Sequence, residues 1–302
     1  MKGFIMIEIT SEASRWRIEL ARELSTHYSG HPEVRMVCLG GSPTKVISDA
    51  YSDLDIVVYW NELDEDWIKA EPLNKAIGLS RTDLLSMAPG SFIESYHLDG
   101  LKIDFGHGTL DDWEEWVKAI MEDLNPDPGL IGMVGGFLNC IPFYGEELCS
   151  EWKNRLKDYP DDLVKEVIKK NIGFYVKGYL VNQCLQRGDY LAYQDGMCTM
   201  LKRLISITAA LNRRVYSAAE PRWLSYELDR MPIRPAALTC ENVRWMLENP
   251  GEESEAMLYA LMDEILTLIQ NQFPELEEKI AHRRKRMSEL AVTSCENRPE
   301  LP

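Results

Sequence analysis

The chain has 302 residues, which at ~150 residues per domain favours two domains, and its 45% hydrophobic content excludes disorder as the dominant state. Its 33 Lys and Arg against 49 Asp and Glu give a net charge of −16, which disfavours broad nucleic-acid binding. The apolar stretches fall short of the ~20 residues of a membrane span, and no secretory signal is evident, so a cytoplasmic protein is expected. Seven cysteines without a CxxC pair indicate reduced thiols rather than structural zinc.

The first elements in chain order are a helix and two strands. Apolar residues at helical spacing predict a helix over 11–29, and the run at 34–39 predicts a buried strand. The turn signal Gly40-Gly41-Ser42-Pro43 follows. Alternation from Asp53 onwards predicts a second strand that ends near Trp60.

The next feature is a hairpin centred on Asp99-Gly100, which lies between the β-like runs 93–98 and 101–105. Asp-Gly favours a type I′ turn, because both central positions need positive φ. A two-residue turn pairs Ser95 with Asp104, and side chains alternate between the two faces. The predicted polar face carries Ser95, His97, Lys102 and Asp104.

The remainder of the chain has a helical pattern. Residues 110–124 predict a helix, 125–129 is the best linker candidate, and 132–136 is an equal alternative boundary. No strand is predicted beyond it. Further helices are predicted at 161–187, 190–212, 221–230, 241–247 and 255–273.

These elements predict an α+β fold. The first domain, 1–130, is expected to hold a small mixed sheet flanked by helices. The second domain, 131–290, is expected to be all helical. A polar tail is expected at 291–302.

The residue types that carry chemistry are concentrated around the glycine turn and the second strand. Glycines let backbone N–H groups approach an anion, and Ser42 adds a hydroxyl. Asp53 and Asp55 are two residues apart on a strand, so both project from one face. Adjacent carboxylates are tolerated when they are solvated or share a divalent cation. A surface loop with an acidic strand edge is the alternative, but Asp104 as a third carboxylate favours a two-metal nucleotide site.

This pattern of Gly41-Ser42, then Asp53-x-Asp55, then Asp104 resembles the nucleotidyltransferase superfamily of DNA polymerase β-like fold. Within it, the chain is similar to the small bacterial enzymes that include the aminoglycoside and lincosamide modifiers. The motifs lie within residues 34–105, and the helical half is similar only in layout. The resemblance implies that 1–130 is the nucleotidyltransferase domain that binds NTP and metal, and that 131–290 is a helical domain on the acceptor side. Many members have a further glycine shortly after the turn serine, where this chain has Lys45 and Val46, so its phosphate contacts are expected to differ in detail.

The resemblance implies transfer of a nucleoside monophosphate from an NTP, with ATP the expected donor, to a hydroxyl of a small acceptor such as an antibiotic. Pyrophosphate is released. Asp53 and Asp55 would hold Mg²⁺, and a second Mg²⁺ would lie between them and Asp104. Asp104 would be metal ligand, general base or both. The phosphate contacts would come from Gly41, Ser42 and Lys45.

Several alternatives stay open at this point. Relatives of this fold also modify proteins or tRNA ends, including toxin–antitoxin components, although the charge of −16 argues against tRNA. A nucleotide-binding module without catalysis is a further alternative. Acceptor clefts shared between subunits occur in similar proteins, which allows a homodimer. For His97, Lys102 and His107, the sequence favours ordinary structural roles over phosphate or acceptor contact.

Overall fold

The protein is described by a computed structural model that covers residues 11–88 and 91–289. Packing divides the chain into two units, one of Met1–Asp123 with Met133–Asp158 and one of Leu124–Gly132 with Tyr159–Pro302. Packing units need not be independent domains, so the limits 1–130 and 131–290 stay a prediction. The predicted tail, Cys295 and the N-terminal ten residues lie outside the described residues.

The first unit is built on a six-stranded sheet with the order β3-β4-β5-β2-β1-β6. Its strands are β1 (Val34–Leu39), β2 (Leu54–Trp60), β3 (Arg81–Ala88), β4 (Ser91–Leu98), β5 (Leu101–Thr109) and β6 (Ile141–Tyr144). Its helices are α1 (Ser11–Ser29), α2 (Glu65–Lys69), α3 (Pro72–Ile77), α4 (Leu110–Met121), α5 (Pro128–Leu138), which crosses the division, and α6 (Glu146–Leu156). Strands β2 and β5 run parallel and the other neighbours antiparallel, so the expected mixed sheet is confirmed.

The hairpin has the geometry that the sequence predicts. Asp99 has φ 49° and Gly100 has φ 85°, as a type I′ turn requires. The register pairs Ser95 with Asp104 and Leu98 with Leu101. The helix at 11–29 and the first two strands are confirmed as well.

Two edge strands were not predicted. The prediction that no strand follows the linker is wrong, because β6 lies there and pairs antiparallel with β1. Pro142 weakens the strand signal in this four-residue element, and an edge position tolerates a proline because one side of the strand needs no hydrogen bond. The other edge, β3, lacks clear alternation and pairs with β4.

One buried cluster of the first unit lies on the face of the sheet where α1 packs. A second buried cluster lies on the opposite face and consists of aromatic rings: Tyr59, Trp113, Phe137 and Trp152. Leu24 and Tyr28 of α1 and Leu54 and Ile56 of β2 belong to the first cluster. Burial of a leucine or isoleucine contributes about 1.5–3 kcal/mol, so the α1 face fixes the strand orientation. The alternate positions of β2 and β5 are therefore directed to the opposite face.

All regular secondary structure in the described residues of the second unit is helical. Its helices are α7 (Asp161–Asn171), α8 (Tyr190–Leu211), α9 (Leu224–Leu228), α10 (Cys240–Glu248), α11 (Glu252–Gln272) and α12 (Glu277–Ser288). Among the helices of the described ranges, none combines the length and the apolarity that a bilayer crossing requires. The six cysteines in these ranges are free thiols, four of them buried, as the sequence indicated.

The continuous helix predicted over 161–187 is wrong. Regular α-helix ends at Asn171, and a short π-helix follows at Tyr179–Cys184. Gly178 precedes it with φ 82°, a left-handed conformation that interrupts a helix. The Glu255 carboxylate in α11 accepts a hydrogen bond from the Leu180 N–H at 2.9 Å. A tertiary partner thus stabilises the interruption, which apolar periodicity cannot reveal.

Candidate functional site

Two of the predicted acidic residues are direct neighbours on the sheet. In the parallel pair of β2 and β5, Asp55 lies opposite Asp104. Across the antiparallel pair, Ser95 of β4 lies opposite Asp104. Neighbouring strands are ~4.8 Å apart, so these three residues form a polar row across the centre of the sheet. The row lies on the face opposite the α1 core.

Asp104 is held by polar partners on both carboxylate oxygens. Oδ1 accepts a hydrogen bond from Ser95 Oγ at 2.7 Å, and Oδ2 forms a close ion pair with Lys102 Nζ. The Asp104 side chain is 19% exposed and that of Lys102 is 48% exposed. The hydrogen bond to Asp104 raises the pKa of Lys102, and the negative charges of Asp53 and Asp55 add to that rise. The Lys102 ammonium group therefore pairs with Asp104 and lies in the negative field of Asp53 and Asp55.

The glycine turn packs against Asp55. A Cβ added at Gly41 would lie 2.6 Å from Asp55 Oδ2, and Gly41 has φ +71°. Both observations require a glycine there. The Gly40 N–H donates to the Asp55 carbonyl at 2.8 Å, which fixes the turn to β2. The turn and the Asp55 carboxylate, predicted to cooperate, are thus in contact.

The other predicted phosphate contacts have a different environment. Ser42 begins a short 3-10 turn that ends at Lys45, and Ser42 is buried. Its hydroxyl lies 3.1 Å from Ser48 Oγ, and the Ser48 N–H donates to Ser14 Oγ in α1. The Ser42 hydroxyl therefore belongs to a small hydroxyl cluster beneath the turn. Contact of Ser42 and Lys45 with phosphate stays a prediction.

A cleft of about 640 Å³ is lined by one of the three predicted carboxylates, Asp53, and not by Asp55 or Asp104. Asp53, one residue before β2, lines it together with Lys102, Trp16, Arg17 and Tyr51. The Arg17 guanidinium lies 4.1 Å from the Trp16 ring centroid and donates to the Ser52 carbonyl at 2.8 and 3.1 Å. Burial lowers the pKa of Arg17, and nearby Asp49 and Asp53 oppose that shift. Tyr51, in contrast, is 79% exposed.

Three residues of α1 line the cleft, Ala13, Trp16 and Arg17, and none of them was predicted as a site residue. Arg17 occupies the same helical stripe as Ala21 and Leu24, both of which belong to the core. A cation on an apolar stripe is a signal, because an arginine is buried only when it is paired. Arg17 is 3% exposed and meets this condition through the Ser52 carbonyl.

The carboxylates of the candidate site can supply part of a Mg²⁺ coordination shell. In the described ranges, no three His, Cys, Asp or Glu side chains converge in a way that could hold a metal ion. Mg²⁺ commonly uses one or two carboxylates together with substrate phosphates rather than a complete protein cage. Asp55 and Asp104 meet that requirement as neighbouring oxygen donors. Asp53 is not part of a three-carboxylate cluster in this geometry.

Two histidines lie away from the carboxylate row. His107 is buried on the opposite face, where Nδ1 accepts from Trp60 Nε1 at 3.1 Å and Nε2 lies 3.2 Å from Glu94 Oε2. Its structural role, favoured by the sequence, fits this geometry, although it belongs to β5 rather than to a loop. His97 Nδ1 lies 3.3 Å from Thr82 Oγ1.

Comparisons with known proteins give limited matches. A family described as a domain of unknown function (DUF4037) matches residues 139–224, which is less than half of the chain. None of the curated proteins gives a significant match. Among the solved structures that match is a nucleotidyltransferase-like protein from Exiguobacterium sibiricum, with 14% identity, a TM-score of 0.35, and coverage of 89% of this chain and 80% of that chain. A TM-score this low decides neither fold nor function, so both are argued from the chain's own residues.

Proposed function

We propose that this protein transfers a nucleoside monophosphate from an NTP to a hydroxyl of a small-molecule acceptor and releases pyrophosphate. The observation that carries the proposal is the register of Asp55 opposite Asp104, with Gly41 packed against Asp55. Two neighbouring carboxylates beside a glycine turn offer oxygen ligands for a divalent cation and backbone N–H groups for an anion. A metal–triphosphate complex contains both.

In the proposed reaction, the acceptor oxygen attacks the α-phosphorus, the bond from that phosphorus to the β-bridging oxygen breaks, and pyrophosphate leaves. The hydroxyl proton passes to Asp104 as general base. Mg²⁺ held by Asp55 and Asp104, with Asp53 nearby, would supply charge neutralisation for the triphosphate. Lys102 occupies one position on Oδ2 of Asp104, so the acceptor hydroxyl must reach a remaining lone pair of that carboxylate or displace the ammonium group.

The cleft beside Asp53 is the proposed place for the base of the NTP or a ring of the acceptor. Trp16 and Tyr51 line this cleft and are 39% and 79% exposed, so both rings are available for stacking. The surplus of acidic residues favours a cationic acceptor through long-range attraction, as an aminoglycoside antibiotic would provide. ATP is the proposed donor.

A second candidate is nucleotide binding without transfer. It is favoured by the Lys102–Asp104 ion pair, which already neutralises the proposed general base. In that case, Lys102 would remain on Asp104 when an NTP binds. The two candidates differ in pyrophosphate release and agree on NTP binding.

The test is a thermal-shift titration with each of four NTPs, with and without Mg²⁺. Binding to the native state adds about 2.7 kcal/mol of stability when the ligand is at 100 times its Kd. We expect a Mg²⁺-dependent shift in the wild type and its loss in Asp55→Asn. The matched control is Asp83→Asn, which removes the same charge from exposed β3 and should keep the shift. Pyrophosphate release in an acceptor screen then separates transfer from binding. If no NTP stabilises the wild type, both candidates fail.

A further inference from the structure

A second cavity, of about 210 Å³, lies entirely within the helical unit. Four cations line it: Lys170 of α7, Lys202 and Arg203 of α8, and Arg214 in the segment that follows α8. None of the described residues that line it is Asp or Glu. The charge balance of this lining is opposite to that of the whole chain, in which acidic residues outnumber basic ones by 49 to 33. The cavity therefore forms a local positive site in a negative protein.

The two arginines are held in place from outside the cavity. Arg203 Nη1 forms a short hydrogen bond with the Gly173 carbonyl. Arg214 Nη2 donates to Glu227 Oε2 at 3.0 Å, and the Glu227 side chain is 2% exposed. An arginine has five N–H donors in a rigid fork, so one such contact orients the head group and leaves donors for a ligand. The arginines are thereby preorganised.

Two polar atoms of the lining residues are buried without a partner. Arg214 Nε and Tyr216 Oη have no hydrogen-bond partner among the described residues. A buried donor without a partner costs about 1–3 kcal/mol. Burial raises the pKa of Tyr216 to about 12, with the negative Glu227 adding to the effect, so its hydroxyl stays protonated and can donate. Both atoms can donate a hydrogen bond, and neither has an acceptor among the described residues.

We propose that this cavity binds a small organic phosphate monoester. Phosphate oxygens are acceptors that match arginine forks and lysine ammonium groups. Arg214 is paired with Glu227, and Lys170 lies 4.0 Å from Asp127, but Lys202 and Arg203 form no ion pair with a described acidic residue, so an uncharged ligand would leave these two cations uncompensated. Pro126, Pro128 and Ile131 supply an apolar wall for the organic part. The volume lies below the ~300 Å³ at which drug-sized pockets begin, which favours a small molecule. The site is separate from the proposed nucleotide site, since all its lining residues belong to the second unit.

Calorimetric titration of the full chain with glycerol 3-phosphate tests the proposal, with glycerol, citrate and inorganic phosphate as comparison ligands. We expect glycerol 3-phosphate to bind most tightly and its affinity to fall with added salt. Lys202→Gln should raise its Kd about fivefold to tenfold. Lys169→Gln is the matched control, because Lys169 lies beside Lys170 on α7, pairs with Glu166 and does not line the cavity. The Kd of Lys169→Gln for glycerol 3-phosphate should equal that of the wild type.

Any one of four results would overturn the proposal. The first three concern affinity: glycerol 3-phosphate binds no more tightly than glycerol, citrate binds more tightly than glycerol 3-phosphate, or inorganic phosphate binds as tightly as glycerol 3-phosphate. The fourth is that Lys169→Gln and Lys202→Gln weaken glycerol 3-phosphate binding equally. Asp55→Asn distinguishes the two sites. It should leave glycerol 3-phosphate binding unchanged even though it removes the proposed NTP-dependent stabilisation. Loss of glycerol 3-phosphate binding in Asp55→Asn would assign the binding to the sheet and contradict the second site.

Discussion

Glu94 and Asp104 are carboxylates on neighbouring strands, and they face opposite sides of one sheet. Glu94 is fully buried and accepts hydrogen bonds from Tyr28 at 2.6 Å and Arg81 at 3.0 Å, with His107 Nε2 at 3.2 Å. Asp104 has Ser95 and Lys102 as partners and remains partly exposed. The first carboxylate is enclosed by protein donors. The second has a cation that water, a metal ion or a substrate can replace.

The comparison separates a carboxylate whose hydrogen bonds are all made within the protein from one that can exchange its partners. A buried carboxylate is tolerated only when several donors compensate its lost hydration, so removing it leaves those donors unsatisfied. An exposed ion pair contributes about 0.2–1 kcal/mol, so it exchanges partners at little cost. The Glu94 face is therefore expected to govern stability, and the Asp104 face to govern binding.

The largest expected effect is that of Glu94→Gln, which should lower the free energy of unfolding at pH 7 by about 3–5 kcal/mol. The variant leaves Arg81 and His107 with an uncharged partner. Denaturant unfolding measures the loss. Glu71→Gln is the matched control, since Glu71 also faces Arg81 but at 4.0 Å and 36% exposure, and it should cost less than about 1 kcal/mol. Equal losses in the two variants would contradict the comparison.

The pH dependence of that loss is a sharper form of the same prediction. Burial alone would raise the pKa of Glu94, but hydrogen bonds from His107, Tyr28 and Arg81 outweigh it and lower the pKa. A lowered folded-state pKa gives stability that is present above the unfolded value of about 4.3 and is lost as pH falls through the folded value. The difference between wild type and Glu94→Gln should therefore shrink below about pH 4.3. A constant difference down to pH 3 would show that Glu94 does not contribute through its charge.

Gly41→Ala is expected to have an intermediate effect, about 1–3 kcal/mol of stability, because φ 71° with ψ −157° is a conformation that essentially only glycine adopts. Its Cβ would also displace the Asp55 carboxylate, so the Mg²⁺-dependent NTP shift should disappear. Gly78→Ala is the control, because Gly78 has φ +74° with nothing within 4 Å. Gly78 has ψ 11°, the left-handed helical region, so Gly78→Ala should lose about 1–2 kcal/mol of stability and keep the NTP shift. If the NTP-dependent thermal shift survives in Gly41→Ala, the glycine turn is not part of the NTP site.

Lys102→Met is expected to have the smallest effect. Removing the ammonium group frees Asp104, so the Mg²⁺ concentration for half-maximal NTP-dependent stabilisation should fall about two- to fivefold, as the energy of an exposed ion pair allows. Lys69→Met removes a comparable ion pair with Glu65 on α2 and should change nothing. A higher Mg²⁺ requirement in Lys102→Met would mean that Lys102 itself contacts the nucleotide.

Much of the first unit follows from local sequence. The helix at 11–29, the strands at 34–39 and 54–60 and the Asp99-Gly100 turn depend on periodicity and on turn chemistry. The pairing of Ser95 with Asp104 follows as well, because a two-residue turn fixes the register. Each of these features is decided within one continuous segment of chain, where pattern and conformation are directly connected.

The sequence by itself determined the hairpin, the α+β class and the residue types of the candidate site. The tertiary structure decided that β2 runs parallel to β5, which brings Asp55 opposite Asp104 from almost fifty residues away. It also decided the break after Asn171, where Glu255 supplies the carboxylate that accepts the backbone N–H groups. Both outcomes depend on partners distant in sequence, and such partners leave no periodicity in the segments that they join.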